Sequence, residues 1–161
     1  MPTLRFVTCS DLISRIIRSG EMGFPFSHTE ALVDGTLLGA HADGGVQARA
    51  LDYDKGQWSE EIYVTVPATP NQEAVFENFL RSQIGKPYDM EAIGEMALGV
   101  VSGEAPDWTQ SPSWICSALQ MGALLSAGLV KAAPATVRLS TPRDVLVACA
   151  ALTPIGQPTK P

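Results

Sequence analysis

The stretch "SHTEALVDGTLLGAHADGGVQARALDY", residues 27–53, decides the fold. Short β-compatible runs alternate in it with Asp-Gly at 34–35 and Asp-Gly-Gly at 43–45, both hairpin turn signals, so the spacing predicts a meander of three strands. If Asp34 and Gly35 form a two-residue turn, Val33 pairs with Thr36, Leu32 with Leu37 and Ala31 with Leu38. Continuing outward, Glu30 meets Gly39, Thr29 meets Ala40 and His28 meets His41. The chain has only 2 histidines, and this register sets them face to face on one side of the sheet. Cross-strand partners have Cβ atoms about 4.5–5.5 Å apart, close enough for one imidazole to orient the other. A slip of one residue would put the rings on opposite faces.

Working outward, "LRFVT" before Cys9 reads as a short strand. "DLISRIIRSG" then reads as an amphipathic helix with Ser10 as cap and Gly20 as stop, its face carrying Leu12, Ile13, Ile16 and Ile17. A fourth strand, "EEIYVTVPA", follows the charged turn "DYDKGQWS". Beyond Pro70 the period becomes helical. "NQEAVFENFLRSQIG" places Val75, Phe76, Phe79, Leu80 and Ile84 on one face, and "DMEAIGEMALGVV" is a second helix with Asp89 as cap. A loop over 102–113 leads to the helix "PSWICSALQMGALLSAG". The last helix, "STPRDVLVACAAL", opens with Ser140, Thr141 and Pro142, suited to the cap and first turn. Strands and helices come in blocks without βαβ alternation, which predicts an α+β fold with an antiparallel sheet packed on helices. The expected organisation is a single domain over 1–152 and a flexible tail over 153–161.

The chain has 161 residues, of which 45% are hydrophobic, enough for one good core and too few for two ordinary domains. A net charge of −6 gives no counterion-release term with phosphates, which argues against nucleic acid as a partner. The longest apolar candidate, "MEAIGEMALGVVSG", carries two glutamates and falls short of a membrane span. Arg5, Asp11 and Arg15 interrupt what would be a signal-peptide core, so the expectation is synthesis in the cytoplasm without a signal peptide.

The 3 cysteines, at 9, 116 and 149, are odd in number and widely spaced, neither a disulfide framework nor a zinc pattern. Cys149 inside "DVLVACAAL" and Cys9 at a strand end read as small buried hydrophobes. Cys116 differs, because it stands at the start of a helix. If Ser113 caps that helix, Cys116 lies in its first turn, where free N–H groups and the positive end of the dipole stabilise a thiolate. Gly122, Ala123 and Ala127 would let the helix pack closely against the sheet and bring Cys116 to His28. A nearby histidine would lower the thiol pKa further and could carry a proton to a leaving amine. The two histidines alone, with no third and fourth ligand at a recognisable spacing, do not make a zinc pattern, and no metal or cofactor is expected.

The segments "FSHTEALVDG", "GKPYD" and "WICSAL", in that order, resemble the permuted papain-like cysteine amidases and peptidases of the YiiX/YaeF-like group, relatives of the NlpC/P60 enzymes. "SDLISRIIRS" and "STPRDVL" extend the resemblance over nearly the whole chain. The order histidine before cysteine is the mark of the permutation. Carried over by position, the resemblance makes Cys116 the nucleophile, His28 the general base and His41 the third polar residue, with Asp43 as the fallback. Tyr88 matches a tyrosine of the oxyanion or substrate pocket, and equally reads as a packed aromatic. Ala118 departs from the group, where glutamate is frequent at that position.

The resemblance implies acyl transfer without a cofactor: an amide hydrolase, foremost a peptidoglycan peptidase or amidase. A phage tail-associated or lytic setting, with phage tail proteins as partners and a virion location, fits by analogy. Two other classes stay open. One is a papain-like structural or assembly component without catalysis, and the other a lipid acyltransferase or thioesterase using the same Cys116 and His28.

Overall fold

The computed structural model describes residues 1–10, 15, 23–98, 110–130 and 137–152. The expected helix over 11–20, Arg15 apart, the greater part of the 102–113 loop and the tail over 153–161 lie outside the described residues. The α+β class and the antiparallel sheet expected from the block order are both present. Strands β1 (Thr3–Cys9), β2 (His28–Val33), β3 (Thr36–His41), β4 (Gly45–Arg49) and β5 (Trp58–Thr65) form one sheet in the order β4-β3-β2-β1-β5. Every pairing in it is antiparallel.

The turn that sets the register has the expected chemistry. Asp34 and Gly35 both take positive φ, 47° and 72°, as a two-residue turn matched to the strand twist requires. Val33, Leu32 and Ala31 accordingly pair with Thr36, Leu37 and Leu38. β1 then inserts between β2 and β5, pairing Arg5 with Glu30 on one side and Tyr63 on the other.

Four α-helices are present among the described residues: α1 (Pro70–Ser82), α2 (Met90–Leu98), α3 (Cys116–Ser126) and α4 (Pro142–Leu152). Thr69 caps α1 with a reciprocal bond to Gln72 and Pro70 at the first position. Asp89 caps α2 by accepting from the Ala92 N–H at 2.9 Å, and Thr141 caps α4 with Asp144 as its partner. No helix among the described residues is long and apolar enough to cross a membrane.

Alternation along the strands sorts the side chains by face. Leu4, Phe6, Ala31, Val33, Leu38 and Ala40 join Phe76, Leu80, Trp114, Leu119 and Leu124 in the core between sheet and helices. Full burial of such side chains stabilises by roughly 1.5–3 kcal/mol each. The Gln120 side chain donates to the Leu38 carbonyl at 3.1 Å, tying α3 to β3. The other face carries Arg5, Glu30, Gly39 and His41. It is closed by the turns of 50–57, where Tyr53 and Asp54 reach down to Glu30 and Arg5.

Two local expectations are corrected. Ser113 does not cap α3; the cap residue is Ile115, which offers no side-chain bond, and Cys116 is the first helical residue. The reason is that Trp114 is held in an extended bridge to Tyr88, its N–H donating to the Pro87 carbonyl and its carbonyl accepting from Asp89, so helix geometry starts only beyond it. Gly122 does not face the sheet either. A Cβ there would lie 3.1 Å from Cζ of Phe79 on α1 and 3.3 Å from the Trp114 ring, so this glycine permits a helix–helix approach.

Candidate active site

Cys116 and His28 meet where the start of α3 reaches the first residue of β2. Burial by itself would raise the Cys116 thiol pKa. The charge of His28, its side-chain hydrogen bond, and backbone N–H groups of Thr29 and Ser117 outweigh that and bring it below its ordinary 9.0. His28 moves the opposite way. Burial pulls its pKa down, but the charge and hydrogen bond of Cys116 and the carboxylate of Glu30 hold it well above 6.5. Each charged form therefore favours the other. The dipole of α3 works in the same direction, and its first N–H groups meet no side-chain cap.

His41 lies beside His28, with ring centroids 5.1 Å apart. Burial and the positive charge of His28 depress its pKa to about 3, so it is a neutral imidazole at physiological pH. Asp43, the fallback third residue, is 75% exposed and bound to Arg49 at 2.6 Å. The carboxylate that stands between the histidines is Glu30, which the sequence reading had only as the partner of Gly39. Its Oε2 lies 3.7 Å from His28 Nε2 and 3.6 Å from His41 Nε2.

Glu30 is fixed from behind. Arg5 Nη1 donates to its Oε1 at 2.6 Å, and the Tyr53 hydroxyl lies 3.3 Å from both oxygens. Burial would raise the Glu30 pKa, but the hydrogen bond and charge of His28 and the charge of Arg5 bring it down to about 2. Arg5 also binds Asp54 and Glu61, so one guanidinium faces three carboxylates and the pocket retains excess negative charge. Gly39 makes room for this row. A Cβ on it would stand 2.9 Å from Glu30 Cβ and 3.4 Å from both Glu30 Oε2 and His41 Nε2.

A cavity of about 630 Å³ opens over the site, lined by His28, His41, Tyr88, Arg49, Tyr53 and Gln57 among others. Tyr88 is thus in place on the cavity wall while its backbone bridges to Trp114. Cys116 itself is 1% exposed and is not part of the cavity lining. Ala118, two residues on, is buried in the core, where a glutamate would have no room for its charge.

Period-two alternation places Glu30 on the same face as His28, so a signal for Glu30 was present in the sequence. Arg5 gave none, because its role depends on β1 pairing with β2. No family model and no curated protein matches the chain.

Proposed function

We propose that this protein is a cysteine-dependent amide hydrolase built on a permuted papain-like fold, with Cys116 as nucleophile and His28 as general acid and base. The observation that carries the reading is the meeting of Cys116, first residue of α3, with His28, first residue of β2, in an environment that favours the thiolate and the imidazolium. The Cys116 sulfur attacks the amide carbonyl and forms a C–S bond. N–H groups at the helix start receive the oxyanion, and the C–N bond breaks as His28 gives its proton to the departing amine. His28 then takes a proton from water, whose oxygen displaces the thiolate and releases the acid. Ionised Glu30 favours the protonated form of His28, and the His41 ring packs beside it.

Arg49, Tyr53, Asp54 and Gln57 on the cavity wall offer hydrogen-bonding groups to a peptide backbone. Peptidoglycan stem peptides are the first substrates to try, in keeping with a lytic or phage-tail role. The test is release of new amino groups from soluble peptidoglycan fragments, followed by mass spectrometry. Turnover by the unaltered chain that disappears in both Cys116→Ala and His28→Ala supports the reading, and turnover that survives Cys116→Ala overturns it.

A second reading, a catalytically silent structural component, is favoured by one observation: Cys116 is 1% exposed and outside the cavity lining. It predicts no turnover of any amide by the folded chain.

A further inference from the structure

His28, Glu30 and His41 each turn one ligand-type atom toward a common point. One such atom from each of the three lies within 4.8 Å of the other two. The carboxylate oxygen is 3.7 and 3.6 Å from the two nitrogens, too far for good hydrogen bonds. Ligand atoms around a tetrahedral zinc with bonds of about 2.0 Å stand about 3.3 Å apart, so small side-chain shifts close the set on one ion.

Three independent features agree with a cation there. First, Nε2 of His28 and Nε2 of His41 are both buried without a hydrogen-bond partner, and His41 is only 6% exposed. An imidazole nitrogen in that state carries a desolvation cost that a metal bond removes. Second, the ligands are held from behind: Arg5 and Tyr53 occupy Glu30, and the Tyr53 ring packs edge-on against His41 at 5.4 Å. Third, Arg5 is outnumbered by Glu30, Asp54 and Glu61, so the surroundings favour added positive charge. The cavity lined by both histidines leaves a side from which a fourth ligand can come.

We propose that His28, Glu30 and His41 form a binding site for a first-row divalent cation of the zinc class, and that its occupation withdraws His28 from Cys116. The second half rests on the reading of Cys116 and His28 as a catalytic pair; the first half does not. A metal bond to Nε2 displaces the Nε2 proton of His28 to solvent and turns it from a proton carrier into a ligand, so the bound cation is an inhibitor of the thiol chemistry.

The test is calorimetric titration of Zn²⁺ into the full metal-free chain, with thermal melting and Cys116 alkylation at each stoichiometry. The expected result is one saturable equivalent, a higher melting temperature, and slower alkylation of Cys116. Binding should weaken by at least about 100-fold in His41→Gln and in Glu30→Gln. Because Glu30→Gln disturbs the buried Arg5 cluster, His41→Gln, checked for folding by circular dichroism, is the deciding variant. Absence of saturable binding, or equal affinity in folded His41→Gln, overturns the site. One bound Zn²⁺ with unchanged Cys116 reactivity overturns the inhibition and keeps the site. An ordinary Cys116 thiol in the metal-free chain overturns the catalytic reading, whichever way zinc binding falls.

Discussion

Arg5 and Glu30 are register partners on neighbouring strands, joined by a 2.6 Å charge-assisted hydrogen bond between side chains exposed by only 1% and 0%. The pair is the support on which the candidate site stands, since Arg5 fixes Glu30 and the Glu30 carboxylate stands between the two histidines. Removing one partner of a buried ion pair leaves an uncompensated charge, at a cost of about 3–5 kcal/mol. Arg5→Met, which keeps the volume and discards the charge, is expected to lower the unfolding free energy from denaturant titration by that amount at pH 7. A change below about 1 kcal/mol, as exposed pairs give, would show that the cluster is not a structural support.

The depressed Glu30 pKa has a consequence with a definite sign. Its folded value of about 2 lies below the ordinary 4.5, so the folded state binds this proton less readily than the unfolded state. The stabilisation is complete above about pH 5 and is lost as pH falls toward 2, a difference on the order of 3 kcal/mol. Glu30→Gln should be less stable than the unaltered chain at pH 7, yet lose less stability on acidification between about pH 5 and 2. Parallel acid profiles for the two chains would contradict the assignment.

Gly39 offers a steric test of the same row. Gly39→Ala puts a Cβ 2.9 Å from Glu30 Cβ, across two strands whose backbones are pinned by the hairpin. Overpacking of this kind costs about 1–3 kcal/mol, and it pushes Glu30 and His41 away from His28. Amide turnover should fall by more than about 10-fold, a loss of the size expected for misplaced catalytic groups. Stability and turnover both unchanged would mean the row has slack.

Much of this arrangement was legible before any coordinates. Asp34-Gly35 fixed the hairpin and the register of Val33, Leu32 and Ala31; beyond those pairs the rings of His28 and His41 stand side by side, 5.1 Å apart. Cys116 at a helix start was legible for the same kind of reason, a local pattern with a local cause. Three things were not. The insertion of β1 between β2 and β5 joins residues far apart in sequence, and no local signal announces that Arg5 will meet Glu30. Glu30 shared a face with His28 by alternation, but its value as the central carboxylate appears only with Arg5 behind it. Ser113 looked like a cap because serine before a helix usually is one, whereas Trp114 is drawn into a bridge with Tyr88 that delays the helix to Cys116.

The three thiols should separate by environment. Cys149 sits in the core, and burial pushes its pKa up to about 12. It is expected to resist iodoacetamide at pH 8 in the folded chain and to react only on unfolding, as read by peptide mapping with and without denaturant. Labelling of native Cys149 at the rate of a free thiol would contradict its placement.

The central claim, that Cys116 and His28 form an ion pair, is tested most directly by ultraviolet thiolate absorbance as a function of pH. The Cys116→Ser difference isolates one sulfur, and the signal does not require a reagent to reach a buried site. The predicted result is a Cys116 thiolate that forms below the ordinary 9.0 and that in His28→Ala appears only at higher pH. A thiolate that forms only near that ordinary value in the unaltered chain, and is indifferent to His28, would contradict the account.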